Sequence, residues 1–127
     1  MMRNAVIGAA IFLSIVPATT WAAPGDGEIE YNRDIRPILT ENCFACHGPD
    51  SASRKAELRL DQRDAAVKAG ALTPGDLNGS ELIQRILSDD RDEVMPPPAT
   101  KKTLTAEQKQ KLKRWVESAR SISPTGP

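Results

Sequence analysis

Cys43-Phe44-Ala45-Cys46-His47 constrains this chain more than any other feature, because it asks a single helical turn to present two thiols and an imidazole together. Residues three apart lie on one face of a helix. C-x-x-C-H is the spacing of covalent c-type haem attachment. Two thiols must reach two vinyl groups on adjacent pyrrole edges, and the imidazole that follows must stand under the iron. Three other readings compete. A redox disulfide of the thioredoxin type opens a helix after a strand, whereas the residues before Cys43 carry a helical pattern. A zinc site needs four ligands, or three and a water, and the chain holds 2 cysteines and 1 histidine in all. A structural bridge between two exported cysteines is the plainest alternative. Spacing and context favour one haem c, attached through Cys43 and Cys46, with His47 as its proximal ligand.

Composition bounds the second axial ligand. His47 is the only histidine, which excludes bis-histidine ligation within one chain. Of 3 methionines, Met1 and Met2 fall in the N-terminal segment considered next, which leaves Met95, 48 residues beyond His47 and followed by Pro96-Pro97-Pro98. Prolines fix φ and stiffen a loop, so a thioether there is presented rigidly. The expected metal ligands are therefore His47 and Met95, and no residue is assigned a catalytic role. The other reading of Met95 is a gap-filling core side chain.

The first residues have the layout of an export signal. Arg3 precedes an apolar run over residues 5–16, followed by Pro17 and small residues. Twelve apolar residues are too few to span a bilayer. Thr20 and Ala22 suit the −3 and −1 positions of a signal peptidase site, which makes residues 1–22 the signal and leaves a mature chain of roughly 105 residues. That chain has no transmembrane anchor and is expected to be periplasmic or otherwise exported. Its only aromatic side chains are Tyr31, Phe44 and Trp115, thin material for a domain whose size already makes core burial marginal. The full chain carries 17 Lys+Arg against 17 Asp+Glu, with no basic run interleaved with aromatics. Nucleic-acid binding has no electrostatic footprint here.

Residues 23–30 read as a flexible lead-in, residues 31–120 as the domain and residues 121–127 as a flexible tail. Ile35, Ile38 and Leu39 recur at i, i+3, i+4, which predicts a helix capped by Asp34, with Pro37 in its first turn, ending near Cys43. Residues 44–53 read as loop and 54–61 as a short extended stretch. Asp61 is expected to cap a helix from Gln62 to about Ala69, ended by Gly70. Ser80 is expected to cap another, with Leu82, Ile83, Ile86 and Leu87 on one face. An acidic loop, residues 89–93, precedes Met95. Thr105 and Gln108 fit a capping box before Leu112, Trp115, Val116 and Ala119. The fold class is a small all-α one.

Tyr-x-x-Asp-Ile-x-Pro-Ile-Leu-x-x-x-Cys-x-x-Cys-His-Gly-Pro-Asp over residues 31–50 is followed by Lys-Ala-x-Leu-Arg-Leu-Asp over 55–61. Ser-Glu-Leu-Ile-x-Arg-Ile over 80–86 and Met-Pro-Pro-Pro over 95–98 complete the pattern. Together they resemble the planctomycete-type cytochrome c domain, a family similar to class I cytochromes c. The resemblance runs from Tyr31 to Ala119. It implies Cys43 and Cys46 as thioether anchors, His47 and Met95 as proximal and distal ligands, and a class I cytochrome c-like fold whose N- and C-terminal helices pack together around one covalent haem.

On this reading the chain is an electron carrier, not an enzyme, exchanging one electron at a time with a redox protein donor and acceptor, as a monomer or as a subunit of a larger complex. A small-ligand sensor or peroxidase-like protein with a dissociable Met95, and an electron-transfer module of an exported dehydrogenase, are the alternatives. Arg54, Lys55, Arg59 and Arg63 are candidates to neutralise haem propionates, with solvated charge as the plainer reading of each. Tyr31 is read either as a propionate partner or as a cap on the first helix, and Trp115 as core. The acidic loop is either a dock for a basic partner or a solvated loop.

Overall fold

The computed structural model describes residues 27–118; the expected signal, residues 1–22, and the expected tail, residues 121–127, lie outside the described residues. Every regular element among them is helical and none is a strand, so the all-α expectation holds there. The first helix opens as a π turn, Tyr31–Ile35, and continues as α1, Arg36–Asn42. Pro37 explains the wide turn. It has no N–H to give and its ring crowds the preceding turn, so the Arg36 N–H reaches back to the Tyr31 carbonyl before the α pattern begins.

The cap of this helix is Glu30, not Asp34. The Glu30 carboxylate accepts the N–H groups of Asn32 and Arg33 at 3.1 and 2.8 Å. Asp34 reciprocates, accepting the Glu30 N–H at 2.9 Å. This is the logic of a capping box, widened by one residue because the turn is a π turn. Of the expected lead-in, Ile29 packs against the core, the Gly27 carbonyl accepts from Arg114 at 2.8 Å and the Glu28 carbonyl accepts from Arg33 at 3.0 Å.

Three further helices complete the core. They are α3, Arg63–Lys68; α4, Glu81–Leu87; and α5, Ala106–Glu117, with the short α2, Phe44–His47, between α1 and α3. Ile35, Ile38 and Leu39 from the first helix meet Leu82, Ile83 and Ile86 of α4 and Leu112, Trp115 and Val116 of α5 in one buried cluster. The opening π turn packs on α5, and α4 packs on α5. Tyr31 lies against Trp115 with ring centroids 5.8 Å apart and planes tilted by 38°. Trp115 is thus core, and burial raises the Tyr31 phenol above its usual range, with Arg36 opposing and Asp61 reinforcing.

Local signals differ from expectation in three places. Asp61 does not cap α3, because the Arg59 guanidinium forks onto its carboxylate at 3.1 and 2.5 Å and holds its acid group below the ordinary range. The N-cap position belongs to Gln62, which makes no side-chain cap. Ser80 does stand at the N-cap of α4, but its buried hydroxyl serves the preceding loop, accepting the Thr73 N–H at 2.9 Å and donating to the Asp76 carbonyl at 2.7 Å. Leu87, expected on the buried face of α4, is 46% exposed at the helix's last position. The capping box of α5 forms as read, with Thr105 and Gln108 bonded reciprocally at 2.9 and 3.1 Å.

Candidate functional site

α1 ends on the residue before the first cysteine. The Cys43 N–H still bonds the Leu39 carbonyl at 2.8 Å, but its φ of −126° leaves the α ladder. The chain then restarts as α2 around the Cys43 carbonyl, which accepts from both Cys46 and His47, at 3.1 and 2.8 Å. Cys43, Cys46 and His47 are thereby gathered on one turn, all half-buried, and the residues read as loop after Cys43 begin instead with this helical turn. The two cysteines are free thiols, and burial pushes Cys43 up to about 11, with Lys102 opposing the rise.

Gly48 closes the turn. Its backbone passes so near Phe44 that a Cβ would lie 2.3 Å from the Phe44 carbonyl oxygen, so no side chain fits. Arg54 secures the exit, with Nε donating to the Gly48 carbonyl at 3.1 Å and Nη2 to the Pro49 carbonyl at 3.0 Å.

The segment expected to be extended, residues 54–61, folds instead into a turn that locks onto α2. The Lys55 N–H donates to the Cys46 carbonyl at 2.7 Å, and the Leu60 N–H donates to the His47 carbonyl at 2.8 Å. Between them the Leu58 N–H closes back on the Lys55 carbonyl at 3.1 Å, with φ of 54° at Ala56 and 52° at Glu57. Two successive left-handed residues mark a type I′-like turn. Neither is glycine, and a glycine there would have signalled the turn in the sequence. The His47 Nδ1 lies 3.2 Å from the same Lys55 carbonyl oxygen. A carbonyl can only accept, so Nδ1 donates this bond, and the neutral ring that makes it has its lone pair on Nε2.

Met95 stands on a different segment. Its N–H donates to the Arg85 carbonyl at the end of α4 at 3.1 Å, and its side chain is half-buried. The same connection between α4 and α5 reaches the end of α1, just ahead of the Cys43–His47 turn, through Lys102, whose Nζ donates to the Glu41 carbonyl. The structure therefore unites Cys43, Cys46 and His47, and ties the connection bearing Met95 to the helix that delivers them. The acidic loop ahead of Met95 is an exposed turn, with Asp90 accepting the Asp92 N–H at 2.9 Å.

Sequence reasoning missed Lys55 as the group that orients His47. Its role is carried by a backbone carbonyl, which leaves no side-chain signature. Gly48 was legible as a glycine after the pentapeptide, although only the close approach to Phe44 shows its purpose.

The donor set fits a c-type haem. Two free thiols sit on one turn, and an imidazole is held with Nε2 available, which is the tautomer an iron ligand requires. Half-buried Cys43, Phe44, Leu58 and Val67 offer apolar surface at the edge of the core. Among the described residues no group of three or more His, Cys, Asp or Glu side chains is placed to hold a metal ion by itself, and no helix there is long and apolar enough to cross a membrane. Neither a curated protein nor a solved structure matches the chain. Residues 43–99, from the first cysteine of the Cys43–His47 turn to just beyond Met95, match the family model described as Planctomycete cytochrome C, and over that stretch the chain is similar to that family.

Proposed function

We propose that the protein is an exported c-type cytochrome carrying one haem, which passes one electron at a time between a redox protein donor and acceptor. The family match suggests haem-based electron transfer. The observation that carries the finer reading is the bond between His47 Nδ1 and the Lys55 carbonyl, 3.2 Å, on the turn that bears both free thiols. Fixing Nδ1–H leaves Nε2 as the ring's one donor to a metal and raises its basicity.

Cys43 and Cys46 would hold the haem through thioether bonds, and His47 Nε2 and Met95 Sδ would be the protein donors to its iron. Bound haem iron supplies one-electron exchange between its ferric and ferrous states. An iron that took both His47 and Met95 would have no position for a substrate, which favours a carrier over an enzyme. A methionine in place of a second histidine raises the reduction potential.

The test is the visible spectrum, oxidised and reduced, of protein matured in a periplasm competent for c-type haem attachment. Sharp reduced c-type bands, and a weak far-red sulfur-to-iron band in the oxidised form that Met95→Ala abolishes, are expected. A high-spin oxidised spectrum without that band overturns the Met95 assignment and marks an open iron site, the state a small-ligand sensor would need.

A further inference from the structure

We propose that Arg85 is the positioning residue for Met95 and sets how firmly its thioether is held at the iron; the inference rests on the Met95 reading above. The sequence shows why such a residue is needed. Met95 is followed by Pro96, Pro97 and Pro98, none of which has an N–H to give, so the Met95 N–H is the one backbone donor of residues 95–98. Ahead of it, residues 89–93 form an exposed turn that bonds largely to itself, the Glu93 and Val94 N–H groups both donating to the Asp90 carbonyl at 3.1 and 2.8 Å.

Arg85 supplies what this stretch lacks. Its carbonyl, at the end of α4 where no helical partner remains, accepts the Met95 N–H at 3.1 Å and the Ser88 N–H at 3.3 Å. Its Nη1 donates to the Glu93 carbonyl at 3.4 Å. One residue therefore grips the chain at Met95 and again two residues earlier. The guanidinium is itself held in place. Nε and Nη2 both donate to Glu81 Oε1, one helical turn back, at 3.1 and 2.8 Å, which leaves Nη1 for the loop.

The base of this grip is firm, because Leu82, Ile83 and Ile86 bury the other face of α4 in the core. The arrangement matches that at His47, where Lys55 likewise makes two bonds to one turn. The Arg85 and Glu81 side chains are 38% and 57% exposed, so water tempers their bonds. Loss of the guanidinium should therefore ease the exchange of Met95 at the iron without undoing the fold.

The experiment titrates imidazole into the ferric, haem-loaded full chain. The far-red sulfur-to-iron band is followed as the imidazole nitrogen replaces the thioether sulfur, with no change in oxidation state. Arg85→Gln is expected to tighten apparent imidazole binding by about two- to tenfold, the range for one lost hydrogen bond. Arg85→Lys keeps the charge but has one ammonium in place of the fork, so it is expected to tighten binding as well. Lys111→Gln, which breaks an exposed i,i+4 pair of the same kind on α5, Lys111 to Glu107 at 3.1 Å, is expected to leave binding unchanged. On heating, the far-red band of Arg85→Gln should fade further below the circular dichroism melt than it does in wild type, whereas a merely structural role would move both together. Wild-type imidazole affinity in Arg85→Gln overturns the proposal, as does an equal shift in Lys111→Gln. If Arg85→Gln does not retain haem, wild-type affinity in Arg85→Lys overturns it. A wild-type chain without the far-red band removes the Met95 reading itself, and this proposal with it.

Discussion

The Nδ1 of His47 and the carbonyl oxygen of Lys55 lie 3.2 Å apart, and the Lys55 N–H donates at 2.7 Å to the carbonyl of Cys46, the residue before that histidine. One residue thus holds the Cys43–His47 turn by its backbone N–H and the His47 ring by its carbonyl. Both bonds depend on the Lys55 to Leu58 turn, whose two central residues have the left-handed φ values that side chains resist.

The first prediction concerns that turn. An L-residue in the left-handed region costs about 1–2 kcal/mol, whereas a glycine there costs about 0.4–1 kcal/mol of unfolded-chain entropy. Ala56→Gly should therefore stabilise the protein by up to about 1.5 kcal/mol in urea denaturation. Ala56→Val should destabilise it, since branching at Cβ worsens the same clash. Loss of stability in Ala56→Gly contradicts the turn geometry.

Gly48 gives the opposite case. Its φ of −126° is open to any residue, and the obstacle is the Phe44 carbonyl oxygen, 2.3 Å from where a Cβ would stand. Backbone atoms cannot swing aside as a side chain can, so Gly48→Ala should cost about 2 kcal/mol or more and lower the yield of covalent haem. Gly27→Ala, where a Cβ would meet nothing within 4 Å, is the control and should be neutral. Equal stabilities for the two variants would remove the close approach as the reason for this glycine.

Signals within one turn of the chain were legible where no longer-range partner intervened. Thr105 is exposed and Gln108 half-buried with no rival partner in the way, so their reciprocal cap forms as the spacing dictates. The apolar faces of the first helix, of α4 apart from Leu87, and of α5 as far as Val116 read correctly for the same reason, since burial acts on periodicity, while Ala119 lies outside the described residues. Asp34 and Asp61 misled because each acid had a neighbour with a stronger claim: the Glu30 N–H and the Arg33 guanidinium for one, the Arg59 guanidinium for the other. The attachment turn itself stood in the sequence as five consecutive residues. Its support from Lys55 depends on two left-handed residues, Ala56 and Glu57, of types that give no warning of that conformation.

Ser80 is a fully buried polar side chain whose hydroxyl links Thr73 to Asp76 across a loop. Ser80→Ala keeps the shape and strands the Thr73 N–H and the Asp76 carbonyl, so a cost of about 1–3 kcal/mol is expected. Ser88→Ala, which removes one acceptor from an exposed turn, should cost less. Guanidinium denaturation of both variants checks the order, and a neutral Ser80→Ala would show that the loop does not need the bond.

Asp34 sets a pH dependence. Its hydrogen bonds to Arg33, and then to the Glu30 N–H, hold its acid group at about 2, below the ordinary 3.8. A carboxylate depressed in the folded state stabilises it fully above the unfolded value, and that contribution is lost as pH falls through the folded value. Wild type should therefore exceed Asp34→Asn in stability at neutral pH, with the gap closing between about pH 4 and 2. Arg33 is 64% exposed, so solvent screening keeps the gap small. Thermal melts of the two proteins across that range are the measurement, and a gap that widens on acidification contradicts the assignment.

Loss of the cofactor should cost more than any of these substitutions. Fourteen apolar side chains form the buried core of the described residues, and Trp115 is the only aromatic among them. Cys43, Phe44, Leu58 and Val67 pack against that core while remaining partly open, and on the haem reading they are surface the cofactor would cover. A domain this small has little stability in reserve, and burying that edge is worth about 25 cal/mol for each Å² covered. The paired substitutions Cys43→Ser and Cys46→Ser, which remove both thioether anchors, should therefore yield a chain with no cooperative thermal transition in far-ultraviolet circular dichroism. The haem-loaded wild type should melt in a single step. A haem-free chain that unfolds as cooperatively as the loaded one would mean that the helices close on themselves and that the cofactor is a passenger in the fold.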